Sequence, residues 1–418
     1  MTAEIICVGT EILMGNIVNT NAKYIAEKLA QLGITHYYQT VVGDNEGRVK
    51  DTINLALSRS DIVILNGGLG PTEDDLTKEV ASACMNKELV FDERAWNEIE
   101  TYFKKRGIKL TDNNKKQAYV PEGSIVMYNP NGTAPGIIIE GDKNVVIMLP
   151  GPPIEMIPMF EDQVKPYLET KAVRAIYSIM VKMCGVGESI VAEQIADLIH
   201  SENPTVATYA KTGEVHVRVT GSGEDTKAAK KTVKPVVKEL KARFGLNIYT
   251  TEEEVTLEDA VVELLEKNNL TVATAESCTG GLLCGRIINV PGASEIIKEG
   301  IITYSNKAKR HRLGVKKSTL QKYGAVSEET AREMVKGILG LTKADTALAI
   351  TGLAGPDGGS DEKPVGLVYI ACSVCGKICV EKFMFKGNRQ KIRESATTQA
   401  LTLLRRCILE YLSETLML

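Results

Sequence analysis

Apolar residues fall along this chain in short runs separated by amphipathic stretches, and the alternation predicts successive βα units. Residues 5–8 form a short apolar run that stops at Gly9-Thr10-Glu11. Residues 22–32 repeat apolar positions at helical spacing and end at Gly33. A strand is expected over 36–42, with Asp44 just beyond it, then a helix over 49–58. Residues 61–65 read as a buried strand that closes on Asn66-Gly67-Gly68. Two more strands are expected over 136–140 and 145–149, the second running into Pro150-Gly151-Pro152-Pro153. Strands alternating with helices imply a parallel sheet with helices on both faces.

The pattern then changes. Residues 171–250 carry strands at 175–184 and 214–220 and helices at 189–199 and 225–244, the mark of a small α+β domain. It holds twelve Lys and Arg against eight Asp and Glu, a local net charge of +4. Thr251-Glu252-Glu253-Glu254 is a polar joint. A second α/β unit follows: a helix over 257–266, a strand over 270–275, a helix over 280–289, and strands over 301–304 and 346–351. Residues 365–373 and 378–385 pair as a hairpin around Cys375-Gly376-Lys377, and a final helix covers 392–412. The expected domains are therefore 1–170, 171–250 and 251–418, with no internal repeat and no low-complexity tract.

Composition fits this division. A chain of 418 residues exceeds what one hydrophobic core supports. With 44% hydrophobic and 25% charged residues, it is neither disordered, fibrous nor a coiled coil. Fifty Lys and Arg against fifty-three Asp and Glu leave −3, too little for a general attraction to nucleic acid or anionic membrane. Aromatic residues, at 5%, provide few stacking platforms. The opening MTAEIICVGT lacks a basic leader and reads as a strand, and no apolar run is long enough to span a bilayer. Nine scattered cysteines suit reduced thiols. The expectation is a cytoplasmic protein with no membrane partner.

Asn66-Gly67-Gly68-Leu69-Gly70-Pro71-Thr72-Glu73-Asp74-Asp75-Leu76-Thr77 follows a buried strand and opens a helix. Glycines let a bound group approach the backbone, and the N–H groups of a following helix can hold phosphate. The carboxylates suit a divalent cation or an oriented water. A tight turn with a helix-dipole carboxylate is the plainer reading of the same residues. The motifs at Gly9–Glu11, Asp44 and Gly67–Asp75 all sit at strand ends, where open α/β sheets bind ligands.

Gly67, Gly68, Gly70, Asp75 and Thr77, as Gly-Gly-x-Gly-x-x-x-x-Asp-x-Thr, resemble the molybdopterin-binding domain of the MoaB/MogA type. Gly9-Thr10-Glu11-Ile12-Leu13-x-Gly15, Pro130-Asn131-Gly132-Thr133-Ala134-Pro135-Gly136 and Leu149-Pro150-Gly151-Pro152-Pro153-x-Glu155-Met156 narrow this to the CinA family. That resemblance implies a metal-dependent ADP-ribose pyrophosphatase. It implies Asp75 as the catalytic carboxylate, Asp44 and Asp75 as holders of a divalent metal or water, and Gly9, Thr10, Glu11, Gly67, Gly68, Gly70 and Thr77 as substrate contacts. Glu73 and Asp74 stand where the MogA pattern has basic residues, which argues against molybdopterin chemistry.

In the last third, Thr274-Ala275-Glu276-Ser277-Cys278-Thr279-Gly280-Gly281 lies between a strand and a helix. A serine at such a turn can expose its hydroxyl beside N–H groups that hold an oxyanion, or it can simply cap the helix. Of four histidines only His311 lies near a motif here, inside Lys307-Ala308-Lys309-Arg310-His311-Arg312, so a Ser-His-Asp triad is poorly supported. A lysine of lowered pKa can serve as base; the run can equally be a solvated basic face. A third loop, Thr351-Gly352-Leu353-Ala354-Gly355-Pro356, also follows an apolar strand. Cys278 is a rival nucleophile. Cys372, Cys375 and Cys379 lack a visible fourth zinc ligand and are expected on different faces of the hairpin.

Together with Lys363-Pro364-Val365-Gly366 and Gly387-Asn388-Arg389-x-x-x-Arg393, these loops resemble the nicotinamide-nucleotide amidase domain of the CinA family, with Asn388 where Asp is frequent. The resemblance implies Ser277 as nucleophile, Lys309 as base and Tyr304 as an assisting residue. It implies Thr279, Asn306, Thr351, Arg389 and Arg393 as ligand contacts, with Gly280, Gly281, Gly352 and Gly355 giving close approach. The expected substrates are nicotinamide mononucleotide and ADP-ribose, the amidase site needing no cofactor. A homodimer is the expected assembly. A competence or DNA-recombination accessory is the alternative, carried by the KH-like middle domain. That domain lacks a basic Gly-x-x-Gly loop, since Gly185-Val186-Gly187-Glu188 is acidic, so nucleic acid is not an expected partner.

Overall fold

Ile5 and Cys7 pack into one core, and Ile6 and Val8 into another. The strand Thr2–Val8 is therefore buried on both faces, which is why its apolar run does not alternate with polar residues. Glu4 is the exception; buried, it is held by Arg59 through Nη2 (2.7 Å) and Nε (2.9 Å). The computed structural model describes residues 1–171 and 175–415. Its first sheet runs Thr35–Val42, Thr2–Val8, Ile62–Asn66, Val145–Leu149, Gly136–Glu140, Ile125–Met127. The first four strands are parallel and the last two antiparallel. Ile62 and Ile64 join the first core, Val63 and Leu65 the second, repeating the period of two.

The middle sheet runs Thr205–Lys211, Glu214–Gly223, Ala175–Cys184, Ile248–Thr250, with the helix Thr226–Phe244 following its second strand in sequence. The edge strand Thr205–Lys211 is not anticipated by the sequence pattern.

The third sheet runs Ile297–Ile302, Val272–Glu276, Thr346–Gly352, Leu367–Val374, Lys377–Met384. Its first three strands are parallel and the hairpin is antiparallel. One face is large: Val272, Leu348, Ile350 and Ile370 pack with residues of the helices Leu257–Lys267 and Arg389–Thr415. The other is alanine: Ala273, Ala275, Ala347, Ala349 and Ala371 meet Ala331, Met334, Val335 and Ile338 of the helix Glu328–Thr342. Small side chains let that helix sit close. Cys375 (φ 46°) and Gly376 (φ 88°) form the two-residue hairpin turn, both at positive φ as a type I′ turn requires. The hairpin corrects one expectation. Cys372 and Cys379 are directly opposed partners and so share a face, with Cys375 alone at the turn.

The three-layer α/β, KH-like α+β and second α/β architecture is as expected. The strand placed at 301–304 is instead Ile297–Ile302, and the basic run after it is the helix Asn306–Leu313. The described residues group into two compact units, 1–177 with 222–230, and 178–221 with 231–418. Among them no helix is long and apolar enough to cross a membrane.

Candidate functional site

Ser277 is the first residue past the strand Val272–Glu276, and its position follows from the residue before it. The buried carboxylate of Glu276 accepts backbone N–H bonds from Gly281 (3.0 Å), Leu283 (3.1 Å) and Cys284 (2.8 Å). Three charge-assisted bonds curl residues 277–281 over the strand end. Gly280 and Gly281 take φ of 62° and 96°, where a side chain would be strained. Ser277 N–H donates to Ile350 O (3.0 Å) on the adjacent strand, and Thr303 N–H to Glu276 O (2.7 Å). Ser277 thus stands where three parallel strands end.

Lys309 reaches it from the helix Asn306–Leu313. Its Nζ lies 2.9 Å from Ser277 Oγ, 2.8 Å from Thr303 O and 3.3 Å from Tyr304 O. Lys309 is 1% exposed in a segment whose other cations, Lys307, Arg310 and Arg312, are exposed. Helical phase explains this for Lys307 and Arg310, two residues before and one after the inward position, while Arg312 is exposed in the last turn of the helix. The run is a solvated basic face with one residue turned in. Burial pushes the Lys309 ammonium down to about 8. As a neutral amine Lys309 keeps two N–H bonds for the carbonyls and one lone pair. The carbonyls of Thr303 and Tyr304 take the donors, so the lone pair faces Ser277. His311, exposed and two residues along the helix, does not share that face. Burial pushes the Cys278 thiol up to about 11, which leaves it protonated at neutral pH and a weak rival nucleophile.

The remaining expected residues divide into those that frame the serine and those that do not. Arg393 donates to Cys278 O (3.0 Å) and Thr279 O (2.7 Å), fastening the serine loop to the last helix. Arg389 donates to Gly355 O (2.7 Å) and reaches Tyr304 Oη (3.2 Å). Tyr304 is 62% exposed and its phenol faces Arg389; the residue reaches Lys309 through its carbonyl instead. The Thr279 hydroxyl is buried with no partner among the described residues. Thr351 spends its hydroxyl on Ala325 O (2.6 Å). A methyl at Gly352 would lie 2.6 Å from Val368 Cγ2, and one at Gly355 2.6 Å from Val365 Cγ1, so both glycines serve packing. Asn306 is exposed at the start of the Lys309 helix. Gly281 N–H is taken by Glu276 and so is not available to a ligand. Sequence reading assigned Glu276 no role. An acid ending a buried strand four residues before a Gly pair was the available sign.

The first sheet carries a cleft of about 500 Å³ at its strand ends. Gly9, Glu11, Asp44, Gly67, Gly68, Gly70, Asp74, Asp75 and Glu155 line it, along with Asn21 and Asn66. Gly67 (φ 101°) passes so close to Val8 that a methyl would sit 2.3 Å from its carbonyl oxygen. Asp44 accepts from Thr10 N–H and Oγ1, both at 2.8 Å. Asp75 accepts from Thr72 N–H (3.0 Å) and Oγ1 (2.5 Å). Thr77 does not line the cleft; its buried hydroxyl abuts Gly68 and lacks a partner among the described residues. Asn21 Nδ2 donates to Asn66 Oδ1 (2.9 Å) and Gly151 O (2.6 Å), and Asn66 Nδ2 to Pro150 O (2.7 Å), a buried amide network that sequence reading missed. The cleft carboxylates are the hard oxygen donors a divalent cation takes. Among the described residues no three acidic, His or Cys side chains converge as a metal cage. Two such carboxylates could supply part of a Mg²⁺ shell, which commonly keeps several waters.

Comparison with known proteins matches each domain. Residues 4–170 match the probable molybdopterin binding domain, 178–250 the damage-inducible protein CinA KH domain, and 254–408 the CinA C-terminal domain. A Clostridium beijerinckii protein is 53% identical over 411 residues, covering 98% of this chain and 100% of that one. A Clostridium novyi protein is 51% identical over 407 residues, covering 97% and 98%. Both are named for competence-damage induction, without a stated reaction. The solved structure of the competence/damage inducible protein CihA from Agrobacterium tumefaciens is 41% identical, covers 35% of this chain and 90% of that one, and has a TM-score of 0.35. Matched in all three domains and about half identical to relatives along its length, the chain belongs to the CinA family of competence/damage-inducible proteins.

Proposed function

We propose that the C-terminal domain hydrolyses the carboxamide of nicotinamide mononucleotide to the carboxylate and ammonia. The observation that carries this reading is the 2.9 Å contact between Ser277 Oγ and the buried amine of Lys309. Ser277 Oγ attacks the amide carbon while its proton passes to neutral Lys309. The carbonyl oxygen, now negative, accepts from backbone N–H groups of residues 278–280. Lys309 returns the proton to the amide nitrogen, the C–N bond breaks and ammonia leaves. Water, deprotonated by Lys309, then attacks the acyl-serine and frees the acid and Ser277.

The pH dependence follows from the lysine. Below about 8 Lys309 is an ammonium without a lone pair. The rate of ammonia release is expected to rise about tenfold per pH unit through that region and level off above it. A profile that falls as pH rises from 6 to 8 would contradict the lysine base.

The N-terminal cleft is proposed to hydrolyse the pyrophosphate of ADP-ribose. Asp44 and Asp75 would hold a divalent cation, which supplies charge neutralisation at the phosphates. The two sites lie in different compact units. Asp75→Asn is expected to remove ADP-ribose cleavage and leave ammonia release within about twofold of wild type. Chelator should do the same. Loss of both activities in a folded Asp75→Asn protein would refute two independent sites.

A further inference from the structure

Glu155 lines the N-terminal cleft with Asp44 and Asp75, but it is held differently. Asp44 and Asp75 are each gripped by the N–H and hydroxyl of one threonine. Glu155 accepts from Asn129 Nδ2 at Oε2 (2.7 Å), and among the described residues no donor reaches Oε1. Asn129 is itself fixed. It is 8% exposed, its Nδ2 donates also to Ala134 O (2.9 Å), and its Oδ1 accepts from Asn131 N–H (3.0 Å). The carboxylate lies against Gly132, where a methyl would come within 2.0 Å of Oε2 and 2.3 Å of the carboxyl carbon. Glycine at 132 and asparagine at 129 therefore form a cradle that presents one carboxylate oxygen without a protein partner. Burial raises the Glu155 carboxyl above the ordinary glutamate range, more than the Asn129 bond and the charge of Arg106 together lower it. A carboxylate so raised is a better proton acceptor than a solvated one.

We propose that Glu155 is the general base that activates water in this cleft, an assignment that rests on reading the cleft as an ADP-ribose hydrolase. Water gives one proton to Glu155 Oε1 as its oxygen bonds to one phosphorus of the pyrophosphate. The bond from that phosphorus to the bridging oxygen breaks, and the bridging oxygen leaves with its electron pair on the other phosphate. AMP and ribose 5-phosphate result, and Glu155 later releases its proton to solvent. Asn129 is a positioning residue for the carboxylate.

Glu155→Gln preserves shape and the oxygen that Asn129 donates to. In the full chain, kcat for ADP-ribose is expected to fall about 10²-fold or more. Binding of ADP-ribose, measured by calorimetry with chelator present so that nothing turns over, should change less than about threefold, which also shows that the cleft is folded. The acid limb of the wild-type kcat–pH profile should vanish in whatever activity the variant retains. A variant kcat within fivefold of wild type overturns the base assignment and leaves the hydrolase reading standing. So does loss of ADP-ribose binding, or a loss of rate restored by more Mg²⁺, which would make Glu155 a ligand for substrate or cation. Absence of ADP-ribose turnover in the wild type would overturn both.

Discussion

Lys309→Met is expected to reduce ammonia release from nicotinamide mononucleotide by at least about 10³-fold, and Ser277→Ala to the same floor. Methionine keeps most of the buried volume but offers no lone pair to the serine hydroxyl. Without it Ser277 attacks as a neutral alcohol, a poor nucleophile. A nucleophile and its base act as a unit, so the double variant should fall no further. Lys309→Arg should not recover activity, because a guanidinium stays protonated and cannot accept the serine proton. Cys278→Ala and His311→Ala should keep most of the rate, since the Cys278 thiol is held protonated by burial and His311 faces away. Initial rates for each folded variant check all of this. Substantial turnover by Lys309→Met with loss in His311→Ala would move the base to His311.

The largest stability effect is expected at Glu276. Its buried carboxylate satisfies three backbone N–H groups. Glu276→Ala leaves them without a protein partner at about 1–3 kcal/mol each before relaxation and water entry. A net loss of about 3 kcal/mol would lower the melting temperature of a unit this size by roughly 6–12 °C. Glu276→Gln, which keeps one oxygen but turns an amide NH₂ toward N–H donors, should fall between. Because the same bonds set the Ser277 loop, ammonia release should drop along with stability. A Glu276→Ala protein that melts within about 1 °C of wild type would show that the loop holds itself.

The parallel sheets were legible because apolar runs buried on both faces cannot be mistaken for solvated strands, as at Ile62–Asn66. The serine and lysine were legible as motifs, and the Gly-rich turns as strand-end loops. What the sequence does not display is phase and distance. Nothing in Lys307-Ala308-Lys309-Arg310-His311-Arg312 marks which cation turns inward until the helix Asn306–Leu313 is packed on its neighbours. The opposition of Cys372 and Cys379 depends on a two-residue turn and its register, which one residue more or less would change. The Tyr304 phenol was expected to assist the serine and lysine, and the Thr351 hydroxyl to meet the ligand; backbone geometry gives them to Arg389 and Ala325. Glu276 and the Asn21–Asn66 network bind backbone and each other, so their partners come into view only once distant strands are side by side.

Ammonia and nicotinate mononucleotide, quantified together from nicotinamide mononucleotide in the presence of chelator, test the central claim most directly. Purified wild-type chain should produce the two in equal amounts, and Ser277→Ala, folded to the same melting profile, should produce neither above background. No ammonia from the wild type, or equal ammonia from Ser277→Ala, would contradict a Ser277–Lys309 amidase.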